Sequence, residues 1–140
     1  EQSEVSVTLT ISAFYAGFVG LLLLALSGLV VKNRLRARVS LGSGDDPQLE
    51  RAVRAQANLA EYAPLTLLLM AILEVGGAAP WLLHGCGSIF LVSRVLHATG
   101  MANPGLPLQG RRAGIVGTWL VLLVLSLAAI VMAAGGIRSG

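Results

Sequence analysis

Two long apolar runs frame this chain. Val5 to Val31 and Ala113 to Ile137 contain no charged residue, and each exceeds the ~20 residues that cross a hydrocarbon core. Between them the pattern is mixed. Tyr62 to Leu73 is apolar but too short to cross alone, so a second helix has to include part of the polar string that precedes it. A third helix follows the Gly76-Gly77-Ala-Ala-Pro80 turn and carries Val75–Ser93 on to Arg94 and beyond. The pattern predicts an all-α membrane protein, a bundle of four transmembrane helices at approximately 8–36, 47–75, 80–101 and 111–135, forming one domain over 1–140.

Local signals set the boundaries. Asp46-Pro47 reads as an N-cap followed by proline at the first helical position, with Glu50 in the first turn. Pro64 lies inside the second helix, where it removes a backbone donor and predicts a local kink. Gly100, Asn103-Pro104-Gly105, Pro107 and Gly110 mark a second polar loop. Along the first helix, Ala13/Gly17 and Ala16/Gly20 are small-xxx-small pairs, which predicts close helix packing there.

Composition strengthens the membrane reading: 55% of residues are hydrophobic and 12% charged. The net charge of +3 matters less than its placement. Lys32, Arg34, Arg36, Arg38, Arg51 and Arg54 fall between the first two spans, and Arg94, Arg111 and Arg112 between the last two. The positive-inside rule then puts both polar loops in the cytoplasm and both termini on the non-cytoplasmic side. This accounts for the cations without nucleic acid; attraction of the Lys32–Arg38 cluster to anionic lipid suffices. The first span has no basic flank before it, which suits a retained helix. One cysteine, Cys86, allows no disulfide framework and reads as a small buried apolar residue.

Candidate chemistry concentrates in the polar string. Arg51, Arg54, Asn58 and Glu61 are spaced three, four and three apart and share one helical face. Charged groups at membrane depth face a bundle interior or a wet cavity and mark a functional site. In an antiparallel hairpin centred near Gly77, Glu61 and Arg94 reach similar depth, placing a basic residue opposite a buried carboxylate. Arg94, His97 and Met101 share a face of the third helix. A salt-bridged bundle with no ligand is one outcome of such a stripe. The surplus of cations over Glu61 favours an anionic ligand instead, and arginine's fork suits carboxylates. No metal is expected. His97 and His84 read as polar packing residues, Glu74 as a solvated helix terminus, and Trp81 and Trp119 as interface or packing aromatics.

The string Arg54-Ala-Gln56-Ala-Asn58-Leu-Ala-Glu61-Tyr62-Ala-Pro64 resembles the signature of the MAPEG family, the membrane-associated proteins in eicosanoid and glutathione metabolism. The four-span layout and short loops agree over essentially the whole chain and look most like the family's compact bacterial members. The resemblance implies a homotrimer in the bacterial inner membrane, able to join a larger membrane complex, with glutathione bound as co-substrate between subunits near the cytoplasmic face. It implies that Arg54, Gln56, Asn58, Glu61 and Tyr62 hold the tripeptide, joined by Arg51, Arg94 and His97, and that Arg111 or Arg112 activates the thiol. The second substrate would be a lipophilic small molecule arriving from the lipid bilayer, so the implied activity is a glutathione-dependent transferase or peroxidase. The rival is a non-catalytic scaffold or accessory subunit retaining an anion or lipid-headgroup site. Family enzymes of the leukotriene-synthase type carry tyrosines where this chain has His97 and Met101.

Overall fold

The computed structural model describes residues 8–102, 105 and 108–138. Four helices follow one another: α1 (Thr10–Ala37), α2 (Pro47–Val75), α3 (Pro80–Ala102) and α4 (Leu108–Arg138). Asp46 starts α2 by accepting from the Gln48 and Leu49 N–H groups at 3.0 and 2.8 Å, with Pro47 at the position that has no N–H to satisfy. α2 continues through Pro64 without interruption. Gly77 makes the reversal into α3 at φ 78°, a conformation that a β-carbon disfavours.

Cross-helix contacts fix the topology. Gln56 meets Ser27 at one level and Glu74 meets Ile11 and Ser12 at another, so α1 and α2 are antiparallel. Arg94 and His97 meet Gly114 and Arg111 respectively, so α3 and α4 are antiparallel too. Tyr15 of α1 reaches His84 and Ser88 of α3, and Tyr62 of α2 reaches Trp119 of α4; these diagonal pairs are parallel. The result is an up-down-up-down bundle around Tyr15, Val19, Leu59, Met70, Phe90 and Leu125.

α1, α2 and α4 are each long and apolar enough to cross a membrane. α3 falls short of that standard because His84, Arg94 and His97 interrupt its apolar sequence, yet it packs between α2 and α4 and runs through the same layer. Its two deepest polar groups, Arg94 and His97, are 2% and 4% exposed. The polarity is directed inward, which is how a span tolerates charge.

Several expectations are corrected. The small residues of α1 face outward: a β-carbon on Gly17 or Gly20 meets nothing within 4 Å. Close packing occurs instead where Gly87 lies against the Tyr15 ring and Gly114 against the α3 backbone. Gly100 and Gly110 are helical rather than loop residues. Both helices extend because Gly100 lets the Arg111 backbone approach; a β-carbon there would be 3.1 Å from the Arg111 nitrogen. Asn103, Pro104 and Pro107 lie outside the described residues. Glu74 is not a solvated terminus: its two oxygens accept from the Ile11 and Ser12 N–H groups, both at 2.7 Å. It therefore satisfies donors at the start of α1 that have no partner within that helix.

Asp46 provides a pH-dependent fastening on the opposite side. The Leu49 N–H, together with the Arg36 guanidinium and the Gln48 N–H, holds its carboxyl below the usual carboxylate range. Arg36 approaches to 2.8 Å. A depressed carboxylate contributes stability above its unfolded pKa near ~4, and that stability is lost as pH falls through the folded value. Asp46→Ala is expected to lower the melting temperature at pH 7, with the difference from the parent shrinking below pH ~4. A difference independent of pH would refute the charged-cap account.

Candidate functional site

The polar string divides among three surroundings, because residues two apart on a helix point to opposite sides. Gln56 turns toward α1, where its Nε2 donates to Ser27 Oγ at 2.7 Å. Asn58 and Tyr62 turn toward α3 and α4. Arg54 and Glu61 are exposed on the outer face of α2, which continues through Leu65, Leu68 and Ile72. Glu61 is thus not buried within the chain, contrary to the reading from spacing, and it does not pair with Arg94. Arg51 is half-buried, and its Nε has no hydrogen-bond partner among the described residues.

Arg94 is the centre of the arrangement. Its Nη1 donates to Asn58 Oδ1 at 2.6 Å and its Nη2 to the Gly114 carbonyl at 3.0 Å. The guanidinium carbon lies 5.3 Å from the centre of the Tyr62 ring, within cation–π range. Its Nε is buried without a hydrogen-bond partner among the described residues. Among the described residues the ion pair present is Arg36–Asp46; none of Arg51, Arg54, Arg94, Arg111 or Arg112 meets a carboxylate. A guanidinium buried to this degree without a counter-charge is costly.

This arrangement settles which atoms the site can offer. Arginine only donates, so Asn58 has to show Arg94 its oxygen. That leaves the Asn58 amide hydrogens as the groups available for a ligand. Tyr62 is constrained in the same way, since its hydroxyl oxygen accepts from Trp119 Nε1 at 3.1 Å. Indole N–H only donates, so the phenol O–H remains a donor. Two side chains that could have been donor or acceptor are both turned into donors. With Arg51 and Arg54 beside them, Glu61 is the one acidic group on the stripe.

His97 is buried, with Nδ1 3.3 Å from the Arg111 carbonyl, so it ties α3 to the first turns of α4. Arg111 and Arg112 are exposed and line a cavity of about 270 Å³ with Leu108 and Ile115. The structure therefore brings together Asn58, Tyr62 and Arg94, while His97 meets the main-chain carbonyl of Arg111. It leaves the side chains of Arg54, Glu61, Arg111 and Arg112 on the surface, and sets Gln56 apart. Trp119 and Gly114 are the contributors that sequence reasoning missed. Gly114 and Trp119 carried a weak signal, a small residue and a lone indole donor early in the last span, but nothing in the sequence matched them to Arg94 and Tyr62.

Comparison with known proteins places the chain in a family. The model of the MAPEG family matches residues 12–131. The inner membrane protein YecN of Escherichia coli strain K12 is 37% identical over 118 residues, covering 84% of this chain and 88% of YecN. YecN of E. coli O6:H1 matches to the same extent. A family match over residues 12–131, which reaches into all four helices, together with a 37% identical relative covered over most of its length, establishes that this chain is a membrane protein of the MAPEG family.

Proposed function

We propose that this chain is the subunit of a homotrimeric glutathione-dependent transferase or peroxidase that acts on lipophilic electrophiles in a bacterial inner membrane. The observation that carries the reading is the donor polarity of the site: Arg94 and Trp119 commit Asn58 and Tyr62 to donating outward. Such a site favours an anion with several acceptor oxygens. Glutathione fits the residues present, because it has two carboxylates for the arginine, asparagine and tyrosine donors and one ammonium for Glu61. The unpartnered Nε atoms of Arg51 and Arg94 are consistent with donors in excess of what the chain itself satisfies.

Exposure of Arg54 and Glu61 supports a site closed by a neighbouring subunit. In an isolated chain these charges would face hydrocarbon or headgroups, which is unfavourable. An assembly with α2 facing inward covers them. Placing the Lys32–Arg54 and Arg94–Arg112 segments in the cytoplasm sets the site near the cytoplasmic surface, where a water-soluble thiol can enter.

Glutathione supplies the nucleophilic thiol. The residues of this chain hold its carboxylates, orient it, and stabilise negative charge at sulfur through the Arg111 or Arg112 guanidinium. An unperturbed thiol titrates near pH ~8.5, so it is mostly protonated at neutral pH. A pH series of thiolate absorbance on the trimer, with Arg111→Ala and Arg112→Ala, tests the proposal. Glutathione is expected to bind with a thiol pKa below the solution value. One of the two variants is expected to raise it while keeping affinity; each pKa unit corresponds to about 1.4 kcal/mol. A bound thiol titrating as in free solution would favour a non-catalytic accessory subunit, and failure to bind glutathione would overturn both the substrate and the site.

A further inference from the structure

A separate site lies where α1 ends. The α1 segment from Thr10 to Val31 rises about 33 Å, close to the ~30 Å of a hydrocarbon core. The residues that follow therefore emerge at headgroup level. There the chain reverses: Arg38 adopts a left-handed conformation at φ 54°, and the Val39 N–H returns to the Arg34 carbonyl at 3.1 Å. Arg34 Nη1 straps the returning segment by donating to the Ser40 and Gly42 carbonyls at 3.3 and 2.9 Å. Helix and returning segment enclose a groove of about 450 Å³ lined by Val31, Arg34, Leu35, Arg38, Val39 and Ser40.

The groove joins two chemistries. Val31 and Leu35 are 55% and 75% exposed, an apolar wall continuous with the outward face of α1. Arg34 and Arg38 stand at its headgroup end, and neither meets a carboxylate among the described residues, whereas neighbouring Arg36 is neutralised by Asp46. An apolar wall leading to two unneutralised guanidinium groups matches a molecule with an acyl chain beside a phosphate. A soluble anion would leave the wall wet, and an uncharged lipid would leave the arginines unmatched.

We propose that this groove is a binding site for one anionic phospholipid, with the phosphodiester at Arg34 and Arg38 and an acyl chain along Val31 and Leu35. The site is independent of the glutathione reading. It differs from general attraction of a basic segment to the membrane, since it assigns the preference to two of the cluster's arginines and not to Arg36.

The test uses the full chain in nanodiscs of phosphatidylcholine with a rising fraction of phosphatidylglycerol. Retained lipid is measured by native mass spectrometry and stability by thermal shift. Phosphatidylglycerol is expected to be retained and to raise the melting temperature. Arg38→Gln is expected to lower its retention relative to phosphatidylcholine about fivefold, and Arg34→Gln/Arg38→Gln further. Arg36→Gln is expected to leave the preference unchanged. If Arg34 proves necessary for the loop to fold, Arg38→Gln alone decides, since its side chain makes no bond that the fold requires. Equal retention of the two lipids, or an equal loss with Arg36→Gln, would overturn the site. So would stabilisation of the same size by inorganic phosphate.

Discussion

Gly114→Ala is expected to lower the stability of the bundle by about 2–3 kcal/mol, near the upper end of the usual overpacking penalty, and to disturb the binding site at the same time. A β-carbon at this position would lie 2.5 Å from the Ser93 carbonyl oxygen, 2.8 Å from the His97 nitrogen and 2.9 Å from the His97 Cβ. The first two are backbone atoms of α3, so no rotamer change relieves the clash, and the two helices have to move apart. The Gly114 carbonyl accepts from both Arg94 Nη2 and Thr118 Oγ1, so separation also loosens the guanidinium. Gly17→Ala supplies the control: nothing lies within 4 Å of its β-carbon, and alanine is favoured over glycine in a helix by roughly 0.5–1 kcal/mol. Thermal unfolding in mild detergent should show the first variant melting well below the parent and the second at or above it. If both melt alike, close approach at Gly114 does not hold α3 to α4.

The helix pattern was legible because it is written in local signals: Asp46-Pro47 as a cap, Gly76-Gly77 and Pro80 as a reversal, and two charge-free runs. The four-helix order followed directly. What the sequence could not disclose was which faces meet. Small residues occur along both α1 and α4, but close approach is found at Gly114 and Gly117 of α4, whose β-carbons would run into α3, and not at Gly17 or Gly20 of α1. Spacing alone carries no information about the partner. Glu74 shows the same limit: an acid at a helix end reads as solvated, and only the fold brings the open N-terminus of α1 against it. Within the site, period assigned Arg54, Asn58 and Glu61 to one stripe, yet a stripe is wide. Asn58 lies at its inner edge against Arg94, and Glu61 at its outer edge facing out of the subunit. The resemblance to a known family supplied the ligand class that is proposed, whereas the donor polarity of Asn58 and Tyr62 required the distances.

Arg94→Met is expected to leave the ligand-free protein as stable as the parent or more so, while weakening glutathione binding at least about tenfold, or ~1.4 kcal/mol. Arg94 is 2% exposed and meets no carboxylate among the described residues, so its desolvation is offset there by two hydrogen bonds and contacts with the Tyr62 and Phe90 rings. Replacing a buried ion pair by apolar side chains of similar volume is often neutral or stabilising by about 1–4 kcal/mol, and a buried charge without a counter-ion starts from a less favourable position than a pair. Against that, the Asn58 oxygen loses its donor, but Asn58 is half-buried and water can reach it. The Gly114 carbonyl still accepts from Thr118. Binding behaves differently. Without the guanidinium the Asn58 amide is free to turn its oxygen toward the ligand, and the Tyr62 ring loses the cation above it. An anion then meets an acceptor where it had met a donor. Melting temperature of the ligand-free protein and calorimetric affinity for glutathione separate the possibilities. A lower melting temperature with unchanged affinity would make Arg94 a structural clamp between α2, α3 and α4, and the donor-polarised site would lose its basis. A stable variant that no longer holds the tripeptide means that the chain keeps a buried, unpaired charge because its function requires it.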